Sequence, residues 1–468
     1  MLTKSDFMLF LDAPMHLWAK THDALAEREP SLLVQHILEQ GQQVEALARQ
    51  FLEDHIHSAY DSAKLLWQTA VNDGRYEIRT DGLVYDKAAE SYDLYEIKSS
   101  SKVKQEHEYD LTFQSLVLEA ASMPLRAIYL IHINNDYVLQ NDLELDPFFV
   151  IEEISAKVEK RREDVRKLRE AAWQVSQSPK PLAEFACTHP KTCPCPALCH
   201  PDLPEHSIYD LPRIGRKAAD LREKGILDIR DIPVNYPLNA KQAQHAQAVQ
   251  SGEALIDPPA IQTWLDELSY PLHFLDFETF APAVPLFTGY RPFEQVIFQY
   301  SLYTIAQPGA DPKHHACLIT DRADPEPPLA ADLLQHLRPQ GSVLVWYAPF
   351  ERNRNRDLAA HCPDLSEALL AINTCLRDLM TPFSAGWFIH PEFHGSASLK
   401  AVLPVLCPDL DYADLKIQDG QEAMLTWYRL QMEDVTPEEQ AEVREAMLAY
   451  CQRDTYGMVA IWNKLQNL

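Results

Sequence analysis

No apolar run in the 468 residues approaches the roughly 20 that a helix needs to cross a bilayer, so no helical membrane span is expected. No export leader is expected either. The stretch Met1–Phe10 holds only a short apolar run with Asp6 inside it and Asp12 just beyond, and Thr3 or Ser5 fits a helix cap there. A cytoplasmic location is the expectation. Basic charge is scarce: 42 Lys and Arg face 69 Asp and Glu, a net charge of −27. That excludes a broad positive surface of the kind that wraps nucleic acid non-specifically, and any path for a polyanion must be local and partly built from bound cations. Internal repeats and low-complexity tracts are absent as well.

What remains is ordinary for a globular protein, with 46% hydrophobic and 24% charged residues, and the length suits two or three domains. The fold class expected is α/β. Helical patterns at Gln35–Leu52 and Asp110–Ala121 enclose strand patterns at Glu77–Tyr85 and Asp93–Ser99, with a β-rich run at Arg126–Ile131. A charged helix follows over 151–172, with seven basic and four acidic residues between Lys157 and Glu170, which most simply forms a solvated face. Prolines then mark linkers around the cysteines and at Pro233, Pro237, Pro258 and Pro259. Boundaries are expected at 1–200, 201–260 and 261–468.

Carboxylates carry the chemistry. In His273–Glu278, Asp276 and Glu278 are two apart, so on a strand they share one face. Val343–Tyr347 reads as a second buried strand running into Phe350 and Glu351. Far downstream, Tyr450 and Asp454 stand one helical turn apart. Four such carboxylates can hold a pair of divalent cations, the equipment of phosphodiester hydrolysis. Asp378 could contribute from a following strand, and Ser396 or Ser398 starts a capped helix.

A second acidic group lies near the N-terminus. Glu96 and Lys98 share a strand face, and Asp81 could approach from the neighbouring strand. Two carboxylates chelate a hard cation such as Mg²⁺ or Mn²⁺, and a lysine beside them can orient or deprotonate water. Taken alone, Glu-x-Lys is more often a cross-strand ion pair. Glu45 precedes this group, and Gln114 follows one turn after Asp110.

That order resembles the PD-(D/E)XK nucleases, particularly the RecB-like branch. The resemblance implies a restriction-endonuclease-like core with Glu45, Asp81 and Glu96 as metal ligands, Lys98 as the catalytic lysine and Gln114 at the nucleic acid. The branch's tyrosine four residues later is Leu118 here.

Of nine cysteines, Cys187, Cys193, Cys195 and Cys199 fall within 13 positions of a proline-rich loop, which in a reducing compartment favours metal over disulfides. Four thiolates on a short loop suit tetrahedral Zn²⁺ or a [4Fe–4S] cluster. Iron–sulfur RecB-like nucleases are similar, but they draw one ligand from an early Cys-Pro, where this chain has Ala13-Pro14. The expectation is a [4Fe–4S] cluster on the four local cysteines with zinc as rival, and His189 and His200 as reserve ligands. Its role would be to staple the loop.

Leu211–Gly215 followed by a helix resembles a helix-hairpin-helix, with five basic and two acidic residues between Pro212 and Lys224. Amides there, with Arg213, Gly215, Arg216 and Lys217, could hold a backbone phosphate, though a plain spacer fits equally. The C-terminal set resembles the DEDD (DnaQ-like, ribonuclease-H-like) exonucleases, with Glu351 where that family has aspartate. The analogy implies Asp276 bridging two metals, Glu278 and Asp454 completing the sites, and Tyr450 positioning the attacking water. The expectation is thus a two-centre nuclease acting on single-stranded DNA ends. Its rivals are an RNA exonuclease and a binding or scaffold protein with a degenerate C-terminal site.

Overall fold

The α/β expectation holds: there are two mixed sheets, each flanked by helices, and the acidic residues singled out above lie on strands and helices of both. The computed structural model describes residues 1–25, 31–59 and 64–468. It divides into two compact units. One is Met1–Asp202 with Pro282–Phe293, and the other is Leu203–Ala281 with Glu294–Leu468. The segment 203–260, read from sequence as a separate linker, therefore folds with the second unit, while 282–293 departs from it.

In the first unit the strands are β1 (Leu2–Thr3), β2 (Lys64–Asn72), β3 (Tyr76–Asp86), β4 (Ser91–Lys98), β5 (Leu125–Ile133) and β6 (Phe149–Glu153). Their order is β1-β3-β4-β5-β6, with β2 also on β3. The pairs β2/β3, β3/β4 and β5/β6 are antiparallel, and β4/β5 is parallel. A parallel pair needs a crossover, supplied by the helix Gln105–Ala120. Period-2 alternation then sorts the side chains. Leu83 and Leu94 join a core with Phe7, Leu17, Leu111, Val117 and Val165, whereas Val84, Tyr95 and Ile97 pack with Val44, Ala48 and Leu52 of the helix Leu32–Ala59. Because both faces are covered, β4 is buried from Asp93 to Ile97. Ala283, Val284 and Phe293 pack into the second of these cores, beside Tyr137 and Leu139.

The second unit holds β7 (Leu255–Ile256), β8 (Leu272–Phe280), β9 (Val296–Ile305), β10 (Lys313–Leu318), β11 (Ser342–Val345), β12 (Leu376–Asp378) and β13 (Phe388–Ile389). The main sheet runs β10-β9-β8-β11-β12, and β7 pairs with β13 apart from it. β8, β9 and β10 form an antiparallel meander, while β11 and β12 run parallel to β8. Leu275 and Phe277 face the helix Glu326–His336 through Leu329 and Leu333. Phe274 lies on the opposite face, against Met458, Ile461 and Trp462 of the 29-residue helix Pro437–Leu465. Asp276 and Glu278 share that face. No described helix of the chain is long and apolar enough to cross a membrane.

Candidate metal centres

On β8, alternation turns Asp276 and Glu278 toward the helix Pro437–Leu465, which presents Tyr450, Cys451 and Asp454. The ligand atoms of Asp276, Glu278 and Cys451 lie within 4.8 Å of one another, with Cys451 Sγ 3.7 Å from Asp276 Oδ2. Asp454 accepts a hydrogen bond from the Tyr412 hydroxyl, and Tyr450 supports the same carboxylate. Glu351 arrives from the first turn of the helix Ala348–His361 that follows β11. It is 1% exposed, and its Oε2 has no hydrogen-bond partner.

Electrostatics shows that these four groups meet. Burial pushes the Asp276 carboxyl well above its ordinary value, and Asp454 adds to the shift. Glu278 is raised by burial, then by Asp276, Asp454 and Glu351. Glu351 is raised by burial and by Asp276, with Arg354 opposing. Asp454 is raised by burial against the hydrogen bonds from its two tyrosines. Desolvation and like charge both disfavour ionisation, and a bound cation reverses both.

One ammonium group serves this cluster. Lys400, on the helix Leu399–Leu406, draws down both Glu278 and Asp454. Its Nζ sits 5.7 Å from the Tyr412 ring and 5.6 Å from the Tyr450 ring. Two glycines of this unit sit at close contacts. A Cβ on Gly457 would stand 2.7 Å from Leu403 Cδ2, so the leucine on the helix carrying Lys400 would have to shift against the helix carrying Asp454. At Gly395, with φ of 71°, a Cβ would stand 1.7 Å from the Asp210 carbonyl oxygen. Neither Lys400 nor Tyr412 was singled out from sequence; an isolated lysine in an acidic chain was the available signal for the first.

Asp378 does not join the cluster. Its carboxylate accepts from the amides of Tyr347 at 3.1 Å, Ala348 at 3.0 Å and Met380 at 3.1 Å. It thereby caps the helix that carries Glu351 and holds Tyr347 at φ of 75°, a left-handed conformation that costs a bulky residue free energy. Ser396 Oγ accepts from the Ser398 amide at 3.2 Å, while Ser398 stands at the N-cap without a side-chain cap bond.

The N-terminal carboxylates also converge, but differently. Asp81 Oδ2 accepts from the Ile97 amide at 2.9 Å, which seats it beside Glu96. Glu96 is fully buried. Its Oε1 takes Lys4 Nζ at 2.6 Å and Lys98 Nζ at 2.7 Å, and its Oε2 takes Gln114 Nε2 at 2.9 Å. Lys98 also pairs with Asp110 at 2.8 Å. Burial alone would raise Glu96, but Lys98 and Lys4 outweigh it and hold the carboxyl low; Asp81 is pushed up by burial and by Glu96. Lys98 is held high, Glu96 and Asp110 overcoming its burial. Glu45 joins through Gln68, whose amide reaches Glu45 Oε1 at 2.9 Å and Asp81 Oδ1 at 3.5 Å, while Arg49 pairs with Glu45 at 2.6 Å.

One expected contact with nucleic acid is corrected here. Gln114 is 0% exposed and bonds Glu96 and Asp110, so it positions carboxylates and touches no outside ligand. Lys217 Nζ is held by Gln242 Oε1 at 2.9 Å, inside the seven-residue helix Lys217–Glu223 and its support. Arg213, Gly215 and Arg216 remain exposed, with Arg213 and Gly215 both at positive φ.

The four loop cysteines are all buried, and they bring in a residue the sequence reading passed over. His16, 2% exposed on the helix Pro14–Thr21, places Nε2 3.4 Å from Cys193 Sγ. The ligand atoms of His16, Cys193, Cys195 and Cys199 all lie within 4.8 Å of one another, a buried cluster able to hold a metal. Cys187 Sγ lies 3.2 Å from His200 Nε2, and His189 is exposed.

Residues 273–398 match a family model described as Domain of unknown function (DUF2779). The matched span contains Asp276, Glu278 and Glu351 and stops short of Lys400, Tyr450 and Asp454. Comparison with curated proteins finds no match for the chain.

Proposed function

We propose that this protein is a metal-dependent nuclease whose principal hydrolytic centre is Asp276, Glu278, Glu351 and Asp454, acting on DNA ends. One observation carries the reading: four carboxylates from three separate elements face one another with few cations to neutralise them, and Glu351 Oε2 is left without a partner. Burying charges this way is costly unless something positive completes the set. Mg²⁺ or Mn²⁺ would supply that charge, activate water and stabilise the leaving oxygen of a phosphodiester. The chain's own contributions are distinct. Tyr450 and Tyr412 fix the Asp454 carboxylate, and Lys400 offers a positive charge to a phosphate held above the carboxylates. The meander with its parallel extension, and the order Asp276, Glu278, Glu351, Asp454, support a DEDD-type, ribonuclease-H-like assignment for this unit.

The first unit supports a RecB-like second centre on Asp81, Glu96 and Lys98, with Glu45 linked through Gln68. There Lys4 must swing away from Glu96 before a cation can share that carboxylate. The cysteine loop is read as a structural metal centre, a [4Fe–4S] cluster or Zn²⁺, that staples the loop. The reading is tested by incubating the full chain with Mn²⁺ and end-labelled single-stranded DNA and RNA ladders. Asp276→Asn with Glu278→Gln should abolish the main DNA product, and Lys98→Ala any remaining one. Full digestion by the triple variant ends the proposal, and a faster RNA ladder moves it to an RNA exonuclease.

A further inference from the structure

We infer that the cysteine loop holds a single Zn²⁺ ion in a Cys₃His cage of Cys193, Cys195, Cys199 and His16, with Cys187 outside the coordination sphere. This deepens the structural-metal reading given above. Three observations carry it, and the first is size. Zinc bonds of about 2.3 Å to sulfur and about 2.0 Å to nitrogen, arranged tetrahedrally, put neighbouring donors roughly 3.5–3.8 Å apart. Cys195 Sγ and Cys199 Sγ are 3.8 Å apart, His16 Nε2 and Cys193 Sγ are 3.4 Å apart, and all four donors fall within 4.8 Å. A cubane gives each thiolate its own iron, so its donors must stand farther apart by the iron–iron separation.

The second observation is the histidine's orientation. Asp12 Oδ2, at the end of the preceding helix Lys4–Asp12, lies 2.6 Å from His16 Nδ1. A carboxylate on one ring nitrogen fixes the tautomer and leaves Nε2 as a basic lone pair aimed at the ligand, the usual support for a metal-bound histidine. Nε2 is the atom that faces Cys193.

The third is the partition of the remaining donors. Cys187 is not one of the four mutually close donors; it groups with Cys193 and His200, and its thiol also neighbours Cys199. Four donors close a tetrahedral structural site, so a fifth is surplus. The site would tie the N-terminal helix Pro14–Thr21 to a loop some 180 residues downstream. Closing so long a loop is where a metal staple constrains the unfolded chain most.

The test is metal content, which does not depend on hydrolysis. The full chain, purified anaerobically, should be colourless, with one zinc per chain and no acid-labile sulfide. Cobalt replacement should give the ligand-field bands of a tetrahedral thiolate-rich site. His16→Ala should lose the ion or bind it at least about 100-fold more weakly, and Asp12→Ala about 10–100-fold more weakly. Cys187→Ser should keep full stoichiometry. A brown protein with iron and sulfide overturns the inference, as does a Cys187→Ser variant that loses its metal while His16→Ala retains it. The cobalt spectrum of the unaltered chain decides the matter even if a variant fails to fold. A nuclease-negative protein that still carries zinc would sink the proposed function and leave this inference standing.

Discussion

Two carboxylate clusters in one chain have solved the same electrostatic problem in opposite ways. Around Glu96, the chain supplies its own cations: Lys4 and Lys98 stand within 2.7 Å, and Gln114 takes the other oxygen. Around Asp276 the acids repel one another, with Lys400 and Arg354 acting only from the edge. The first cluster is self-compensated, so a metal entering it would compete with ammonium groups already in place. The second is uncompensated, and a divalent cation there would lower its free energy. Burial is similar in both, so the contrast comes from where the lysines sit.

The largest expected effect breaks the uncompensated side of that comparison. Asp276→Asn should cut hydrolysis by at least about 10³-fold, since removing one strongly placed charge-stabilising group costs about 4 kcal/mol in the transition state. The same change should raise the melting temperature of the metal-free protein, because it removes a like charge from Glu278 and Glu351. Loss of activity together with a lowered metal-free melting temperature would mean that Asp276 is merely a structural residue.

Next in size is the response to breaking the compensated side. Lys98→Ala leaves Glu96 and Asp110 buried with one fewer cation, and should destabilise the first unit by about 3–5 kcal/mol in chemical denaturation. Lys4→Ala should cost less, since Lys98 remains, and should tighten Mn²⁺ binding at Asp81 and Glu96 as measured by calorimetry. Equal losses from the two lysines, with metal affinity unchanged, would show that Lys4 does not gate this centre.

Acidity sharpens the contrast further. Asp276, Glu278 and Glu351 bind their protons more tightly when folded than when unfolded, where carboxyls titrate near 4. Their contribution to metal-free stability is complete at acid pH and drains away as pH rises through the raised values. Glu96, held low by its lysines, behaves inversely: its contribution is present above the ordinary carboxylate range and lost only as pH falls below it. Metal should therefore stabilise the second unit most at alkaline pH, by about 2.7 kcal/mol when Mg²⁺ exceeds its dissociation constant 100-fold. A magnesium-induced rise in melting temperature between pH 5 and pH 8 measures this. A shift that survives in Asp276→Asn with Glu278→Gln would place the ion elsewhere.

How much of this was readable in the sequence follows from range. Alternation along β8 put Asp276 and Glu278 on one face, and the same rule put Glu96 beside Lys98, because a two-residue period is a local property. The i, i+4 spacing of Tyr450 and Asp454 was equally local. The hidden partners lie far away in sequence. Lys4 meets Glu96 across 92 positions, His16 meets Cys193 across 177, and Tyr412 meets Asp454 across 42. Nothing in their immediate neighbourhoods marks them. His16 was the nearest miss: the early-ligand position expected from resemblance is Ala13-Pro14, and the imidazole stands two residues further on, with its orienting Asp12 at the end of the preceding helix. Asp378 erred in the other direction. It ends β12, where an acidic residue could serve as a ligand, yet its oxygens are spent on three backbone amides.

That role gives the smallest of the expected effects. Asp378→Ala removes the acceptor that caps the helix of Glu351 and steadies Tyr347, and a lost cap costs about 1 kcal/mol, up to about 2. If Asp378 only positions Glu351, denaturation should show that modest loss, and hydrolysis should fall a few-fold through weaker metal affinity, recovered by raising Mn²⁺. Asp378→Asn, which keeps one acceptor oxygen, should recover part of both. A ligand would behave otherwise: the alanine variant would lose activity by orders of magnitude at any metal concentration. Glu351 supplies the internal control, because it is buried in the carboxylate cluster and Glu351→Gln should show that larger, metal-irreversible loss.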